Sequence, residues 1–171
     1  LKPFSRSEVA SQILYGEKFT ILSKKNGWIK IKTSYDNYVG FIKNNKFLSK
    51  FKPTKKIYKL KSRIFRKKGD NFSKTKNFLY FGTGISVINN DKKFLEFEKN
   101  KWIKKIDTKE INHNEKNFVK VLKSFLNMKY LWGGKTSKGL DCSALIQIYF
   151  YYNRVFFFSV SKDQIKYCKK K

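Results

Sequence analysis

Histidine, methionine, cysteine, proline and alanine are all scarce in this chain of 171 residues, with one His, one Met and two each of the others. The two cysteines, Cys142 and Cys168, are too few for the disulfide framework of a small secreted scaffold. They lie far apart, with the single His113 well upstream, so they lack zinc-ligand spacing and no cofactor is expected. Two prolines exclude a proline-rich linker. No apolar stretch approaches the ~20 residues that span a bilayer, and the opening LKPFSRSEVASQ lacks the apolar run of a signal peptide. Acidic residues are scarce as well, 12 against 40 basic, for a formal net charge of +28. Such a charge suits a polyanionic partner: nucleic acid, an anionic membrane surface or an acidic wall polymer. It also suits an AT-rich coding sequence, because 36 Lys stand beside only 4 Arg while Asn, Ile, Phe and Tyr are plentiful. Phosphate recognition favours the arginine fork, and no nucleic-acid motif accompanies the dispersed lysines, so a basic nucleic-acid binder is the less favoured reading.

The chain reads as three parts. Residues 1–52 carry a strand at Glu17–Leu22, an Asn26-Gly27 hairpin turn, a return strand at Trp28–Lys32, a turn at Asp36-Asn37 and a strand at Tyr38–Ile42. Pro53 marks a boundary. Residues 53–110 repeat the style, with strands expected at 57–60, 78–81, 85–88, 94–97 and 102–103. Turns are expected at Gly69-Asp70-Asn71, Gly82-Thr83-Gly84 and Asn89-Asn90-Asp91. Residues 111–171 turn helical. Phe118, Val119, Leu122, Phe125 and Leu126 recur at helical spacing, predicting a helix over 114–127 with Asn114 as N-cap. Leu145, Ile148, Tyr149 and Tyr152 predict a second over 142–152, and Ser161-Lys162-Asp163-Gln164 is a capping-box pattern for a short last one.

Cys142 stands where a glycine-rich loop meets the second helix. A thiol attacks carbonyls only as thiolate. The unpaired amides of a helix N-terminus favour that negative charge, as does a neighbouring imidazole. The helix start supplies the first, Gly133, Gly134 and Gly139 let backbone approach a ligand closely, and Tyr130 and Trp132 are placed to wall a cleft.

YLWGG at 130–134, followed by GLDCSAL at 139–145 and an apolar helix, resembles the NlpC/P60 family of cell-wall cysteine peptidases. SEVASQILYGEKFTIL, GWIKI and DNYVGFI resemble the bacterial SH3-like domain that precedes the peptidase in a two-SH3 subgroup. The resemblance implies an α+β chain: SH3-like barrels at 1–52 and 53–110, then the helical part of a papain-like domain at 111–171. It implies hydrolysis of γ-D-glutamyl–diamino acid bonds in peptidoglycan peptides with a free N-terminal alanine. Cys142 would be the nucleophile, with Tyr130 positioning thiol or oxyanion. Asp141, Ser143, Trp132 and Ser161 would shape the substrate pocket. Glu17 would offer a carboxylate to the substrate amine, and Tyr38 is a further candidate. Read without the resemblance, Trp132 is equally a core residue, Glu17 a solvated hairpin charge and Asp141 a plain N-cap.

The resemblance also implies a histidine base downstream of the cysteine, and no histidine follows Cys142. His113 precedes the helix in INHNEK and reads as a surface linker residue. Val160 stands where the family carries an aspartate that binds the substrate amine. The chain is therefore expected to be a partial product, inactive by itself, with its helix faces exposed or paired with another chain. A non-catalytic module that binds peptidoglycan peptides is the alternative.

Overall fold

The computed structural model describes residues 4, 6–48 and 50–169. Its first unit is an antiparallel sheet of β1 (Phe19–Lys25), β2 (Trp28–Thr33) and β3 (Val39–Lys43) in that order. Asn26 and Gly27 both have positive φ, 48° and 74°, as a two-residue hairpin turn requires, and Lys25 pairs directly with Trp28. The alternation of central β2 buries Ile29 and Ile31.

The second unit contains β4 (Lys55–Ile57), β5 (Lys61–Lys68), β6 (Asn71–Tyr80), β7 (Gly84–Ile85), β8 (Asn89–Asn90), β9 (Phe94–Glu98), β10 (Lys101–Lys104) and β11 (Thr108–Glu110). They form a five-stranded sheet, β6-β5-β10-β9-β8, and a three-stranded one, β11-β4-β7. Between them lies a core of Ile57, Ile64, Leu79, Ile85, Leu95, Phe97 and Ile103. The long β5–β6 hairpin extends well beyond the strand expected at 78–81. A bulge between Arg63 and Phe65 breaks the alternation, and lysines along the outer face mask what remains. Asn89-Asn90, expected as a turn, pairs with Glu96 and Leu95 as a short edge strand.

Three helices follow: α1 (Phe118–Ser124), α2 (Cys142–Tyr152) and α3 (Ser161–Cys168). The second has its expected bounds. The first is shorter than 114–127, and its cap is Asn117, not Asn114: the Asn117 side chain accepts from the Lys120 amide at 2.8 Å. Reciprocal bonds between Asn153 and the Glu115 backbone keep the preceding residues out of the helix. At α3 the capping box does not form. Val160 is the N-cap and no side chain caps it; the Gln164 amide instead donates to the carbonyls of Ser143 and Phe158.

The helix faces are covered in part, with Val119 and Leu126 of the face expected for α1 left 56% and 67% exposed. Val121, Phe125, Ala144, Ile148 and Tyr152 share one core with Leu14, Phe81 and Leu140, and Tyr58 and Leu60 pack against it. The second β unit and the segment before β1 therefore cover the inward side of α1 and α2. Tyr152, fully buried, stacks on Phe81 at 4.5 Å. Its hydroxyl lies 2.9 Å from Nδ1 of His113, which is half-buried and engaged rather than a surface linker. Buried Lys56 donates to the Tyr152 carbonyl at 2.6 Å and sits 4.2 Å from that ring, placing a cation at the negative end of α2. Burial, with the nearby charge of Arg154, lowers the Lys56 ammonium to about 8.

Truncating Tyr152 to Ala removes the ring on which Phe81, Lys56 and His113 converge. The expected loss is about 3–5 kcal/mol of unfolding free energy, read as a lower urea midpoint with unchanged m-value. A loss below about 1 kcal/mol would show that this core does not hold α2 in place.

Candidate active site

The loop before α2 is pinned by backbone bonds. Leu131 donates to the Leu140 carbonyl, Gly134 to that of Leu131 and Asp141 to that of Gly134. The two-residue strands at Lys135–Thr136 and Gly139–Leu140 pair within it. Gly133 has φ +67°, and a Cβ there would sit 2.4 Å from the Val9 carbonyl oxygen, so only glycine lets this loop lie on the segment preceding β1. Asp141 then caps α2, its Oδ1 accepting from the Ala144 amide at 2.7 Å and the Ser143 hydroxyl at 2.8 Å.

Cys142 is the first residue of α2, exposed and free. Its Sγ lies 3.7 Å from the Ser161 hydroxyl at the start of α3, where Ser161 had been expected to cap. Tyr130 and Trp132 are 63% and 58% exposed, which excludes the core reading of Trp132. The only imidazole of the chain, His113, is bonded to Tyr152 at the other end of α2, about 15 Å from Cys142 along the helix.

Glu17 is not a solvated hairpin charge. Its Oε2 accepts from the Leu14 amide at 3.0 Å. Burial pushes its carboxyl above the usual range; the Lys135 charge and the Leu14 amide oppose this, and the Asp36 charge adds to it. Tyr38 is half-buried, and its hydroxyl is raised first by burial and then by the charges of Asp36 and Asp141. It thus stands in the field of both the β2–β3 turn and the cap of α2.

The sequence marks Asp36 only as a turn residue, beside Asn37. Its carboxylate is fully buried. It accepts from the Thr33 hydroxyl, from the Tyr38 amide at 3.2 Å and from Gln147 Nε2 at 3.0 Å, with Lys135 Nζ 3.7 Å away. Burial pulls the carboxyl upward, but the bonds from Thr33, Gln147 and Tyr38 and the charge of Lys135 outweigh it and hold it below the usual range. Gln147 also donates to the Phe157 carbonyl at 3.1 Å, and the Lys135 amide donates to the Gln12 side chain at 2.9 Å. The available signal was Gln147, a lone amide in the apolar run of α2.

A cleft of about 280 Å³ opens between residues 7–13 and strands β2 and β3. Trp28, Ile31, Tyr38, Phe41 and Lys135 line it; its described lining does not reach Cys142. Among the described residues, no three His, Cys, Asp or Glu side chains converge to hold a metal, and no helix is long and apolar enough to cross a membrane.

Residues 127–171 match the profile of the NlpC/P60 family, and residues 2–47 match that of the bacterial dipeptidyl-peptidase Sh3 domain. The C-terminal segment is similar to NlpC/P60 sequence, and the N-terminal one to a bacterial SH3 domain. The fold agrees. The crystal structure of an NlpC/P60 family protein from Bacillus cereus superposes with a TM-score of 0.76 at 17% identity, over 92% of this chain. The chain spans 59% of that protein's length. A comparison with curated proteins returns no match. The buried Asp36 cluster is what joins the SH3 sheet to the NlpC/P60 helix α2.

Replacing Asp36 with Ala leaves the Lys135 ammonium and the Gln147 amide short of a partner, at an expected cost of about 3–5 kcal/mol at pH 7. Because the folded carboxyl titrates below its unfolded value, its contribution is complete above about pH 4 and fades as pH falls through the lower folded value. Denaturation of both proteins at pH 7 and about pH 2 should therefore show the gap closing on acidification. A gap of constant size would mean that the carboxylate's charge does not matter.

Proposed function

We propose that the chain is built to bind peptidoglycan peptides at Cys142, and that Cys142 is the nucleophile for γ-D-glutamyl–diamino acid bonds. The observation that carries this reading is an exposed thiol at the N-terminus of α2, next to the Asp141 cap. In the reaction, the thiolate adds to the γ-carbonyl, the C–N bond breaks, the amine leaves with a proton, and water hydrolyses the thioester. Tyr130 would orient thiol or oxyanion. Asp141, Ser143, Trp132 and Ser161 would bound the pocket, and Glu17 and Tyr38 would meet the substrate's amino terminus from the SH3 side.

Acyl transfer also needs an acceptor for the thiol proton and a donor for the leaving amine. The neighbour of Cys142 is a serine hydroxyl, and His113 is engaged at the far end of α2. The proposal is therefore binding without efficient turnover by residues 1–171 alone. A binding module with an inert thiol is the second reading, favoured by the Cys142–Ser161 pairing.

Alkylation separates the two. With iodoacetamide near neutral pH, Cys142 should react at least about tenfold faster than exposed Cys168 if the helix terminus activates it. Calorimetry with L-Ala-γ-D-Glu-diaminopimelate should show binding to both the native chain and Cys142→Ala, with product release several orders of magnitude below a complete nucleophile–base unit. Equal alkylation rates would leave only the binding module, and absence of peptide binding would sink both readings.

A further inference from the structure

The β5–β6 hairpin, residues 61–80, carries seven basic residues and one acidic one, and two of the chain's four arginines. The register puts Lys61, Arg63, Lys67, Lys74 and the neighbouring Lys104 with a set of aromatics on one face of the five-stranded sheet, where Glu96 also lies; Arg66 and Lys68 alternate to the other face. Arg63 lies opposite Phe78, Lys67 opposite Phe72, Lys74 opposite Phe65 and Lys104 opposite Phe94. The opposite face packs the core through Ile64, Leu79, Leu95, Phe97 and Ile103.

Aromatic rings, more than carboxylates, hold these cations. The Arg63 guanidinium lies 4.5 Å from the Phe78 ring and donates to the Thr75 carbonyl at 2.7 Å. Lys61 sits over the same ring, Lys104 over Phe65, and Lys67 between Phe72 and Trp102. A ring face fixes a cation without cancelling its charge. Of these, Lys67 is ion-paired, to Asp91; among the described residues Lys61, Arg63, Lys74 and Lys104 have no acidic partner within ion-pair distance. The rows recur about every 7 Å along the strand.

We propose that this face binds a flexible phosphodiester polymer that carries no bases. The rings are engaged with one another or with the cations: Phe72 stacks on Phe94 at 4.0 Å, Phe65 meets Phe94 edge-on, Phe78 lies under two cations, and Trp102 is 5% exposed. Bases would find no platform, so a single-stranded nucleic acid gains nothing over a bare phosphodiester chain.

The test uses the full chain, fluorescent poly(glycerol phosphate) and an oligothymidylate of equal phosphate number, titrated across a salt series. Affinity for the first should fall steeply with salt. The triple variant Lys61→Gln, Lys74→Gln, Lys104→Gln should weaken it about tenfold and flatten the salt slope by about 2–3. An equal charge change elsewhere, Lys24→Gln, Lys25→Gln, Lys116→Gln, should cost less than about twofold. Equal losses in both triples would reduce the effect to net charge and overturn the proposal, as would absence of binding. Tighter binding of the oligothymidylate would assign a nucleic-acid partner and overturn it too. Circular dichroism of each triple checks its fold, and Cys142 alkylation rates stay unchanged whichever way the peptide-binding reading falls.

Discussion

A carboxylate with no exposed surface has to be answered from all sides, and Asp36 is answered by residues far apart in the chain. Thr33 and the Tyr38 amide come from its own turn, Gln147 from the middle of α2, and Lys135 from the loop before it. None of the distant partners is free to drift, because an unpaired buried charge costs several kcal/mol. Gln147 passes the constraint to the Phe157 carbonyl, and Lys135 passes it to Gln12. Tyr35, next to Asp36, adds a bond to the Val155 carbonyl at 2.7 Å and an edge-on contact with Tyr151. One buried anion thus fixes the SH3 sheet against the helix that presents Cys142.

That docking determines what surrounds the thiol. With α2 seated on the Asp36 turn, the Tyr38 hydroxyl feels the charges of both Asp36 and the cap Asp141. Gln164, buried beneath α3, ties the first turn of α2 to the segment ahead of α3 through the carbonyls of Ser143 and Phe158. Ser161 reaches Cys142 as a consequence of that bond rather than as a cap. Polar side chains spent on joining elements are unavailable for local capping, which is why the Ser161–Gln164 pattern misled.

The parts legible in the sequence were those specified locally. Asn26-Gly27 with flanking alternation identifies the first hairpin, and Asp141 before an apolar run identifies α2 to the residue. The NlpC/P60 resemblance was legible because its loop and helix cap are contiguous, and residues 127–171 match that profile. The β5–β6 hairpin was not, since its outer face alternates cations with rings and its register slips at a bulge. Nor was Asp36, whose partner Gln147 is 111 positions away. Asn117 displaced Asn114 as cap because Asn153, distant in sequence, holds Glu115. Apart from that hairpin, the misses are long-range polar bonds, which leave no periodicity behind.

Asp36 and Glu17 share the charge of Lys135 unequally. Asp36 has three hydrogen-bond donors and is held ionised; Glu17 has one amide donor, and burial pushes it toward its protonated form. Environments that drive two neighbouring carboxyls apart give them different tasks. Asp36, ionised and saturated, is structural. Glu17, under the reading proposed above, would be the group whose charge depends on what arrives. A peptide ammonium beside it, as proposed above, would favour its ionised form and oppose the effect of burial. Binding there would expel the carboxyl proton, so affinity for a free amino terminus would rise with pH across the titration of Glu17, and an acetylated terminus would show no such dependence. The resident ammonium of Lys135, ion-paired to Asp36, offsets the effect of burial on Glu17 only in part. The SH3 unit would thus contribute to recognition through a carboxyl left partly unanswered by the same cluster that docks it.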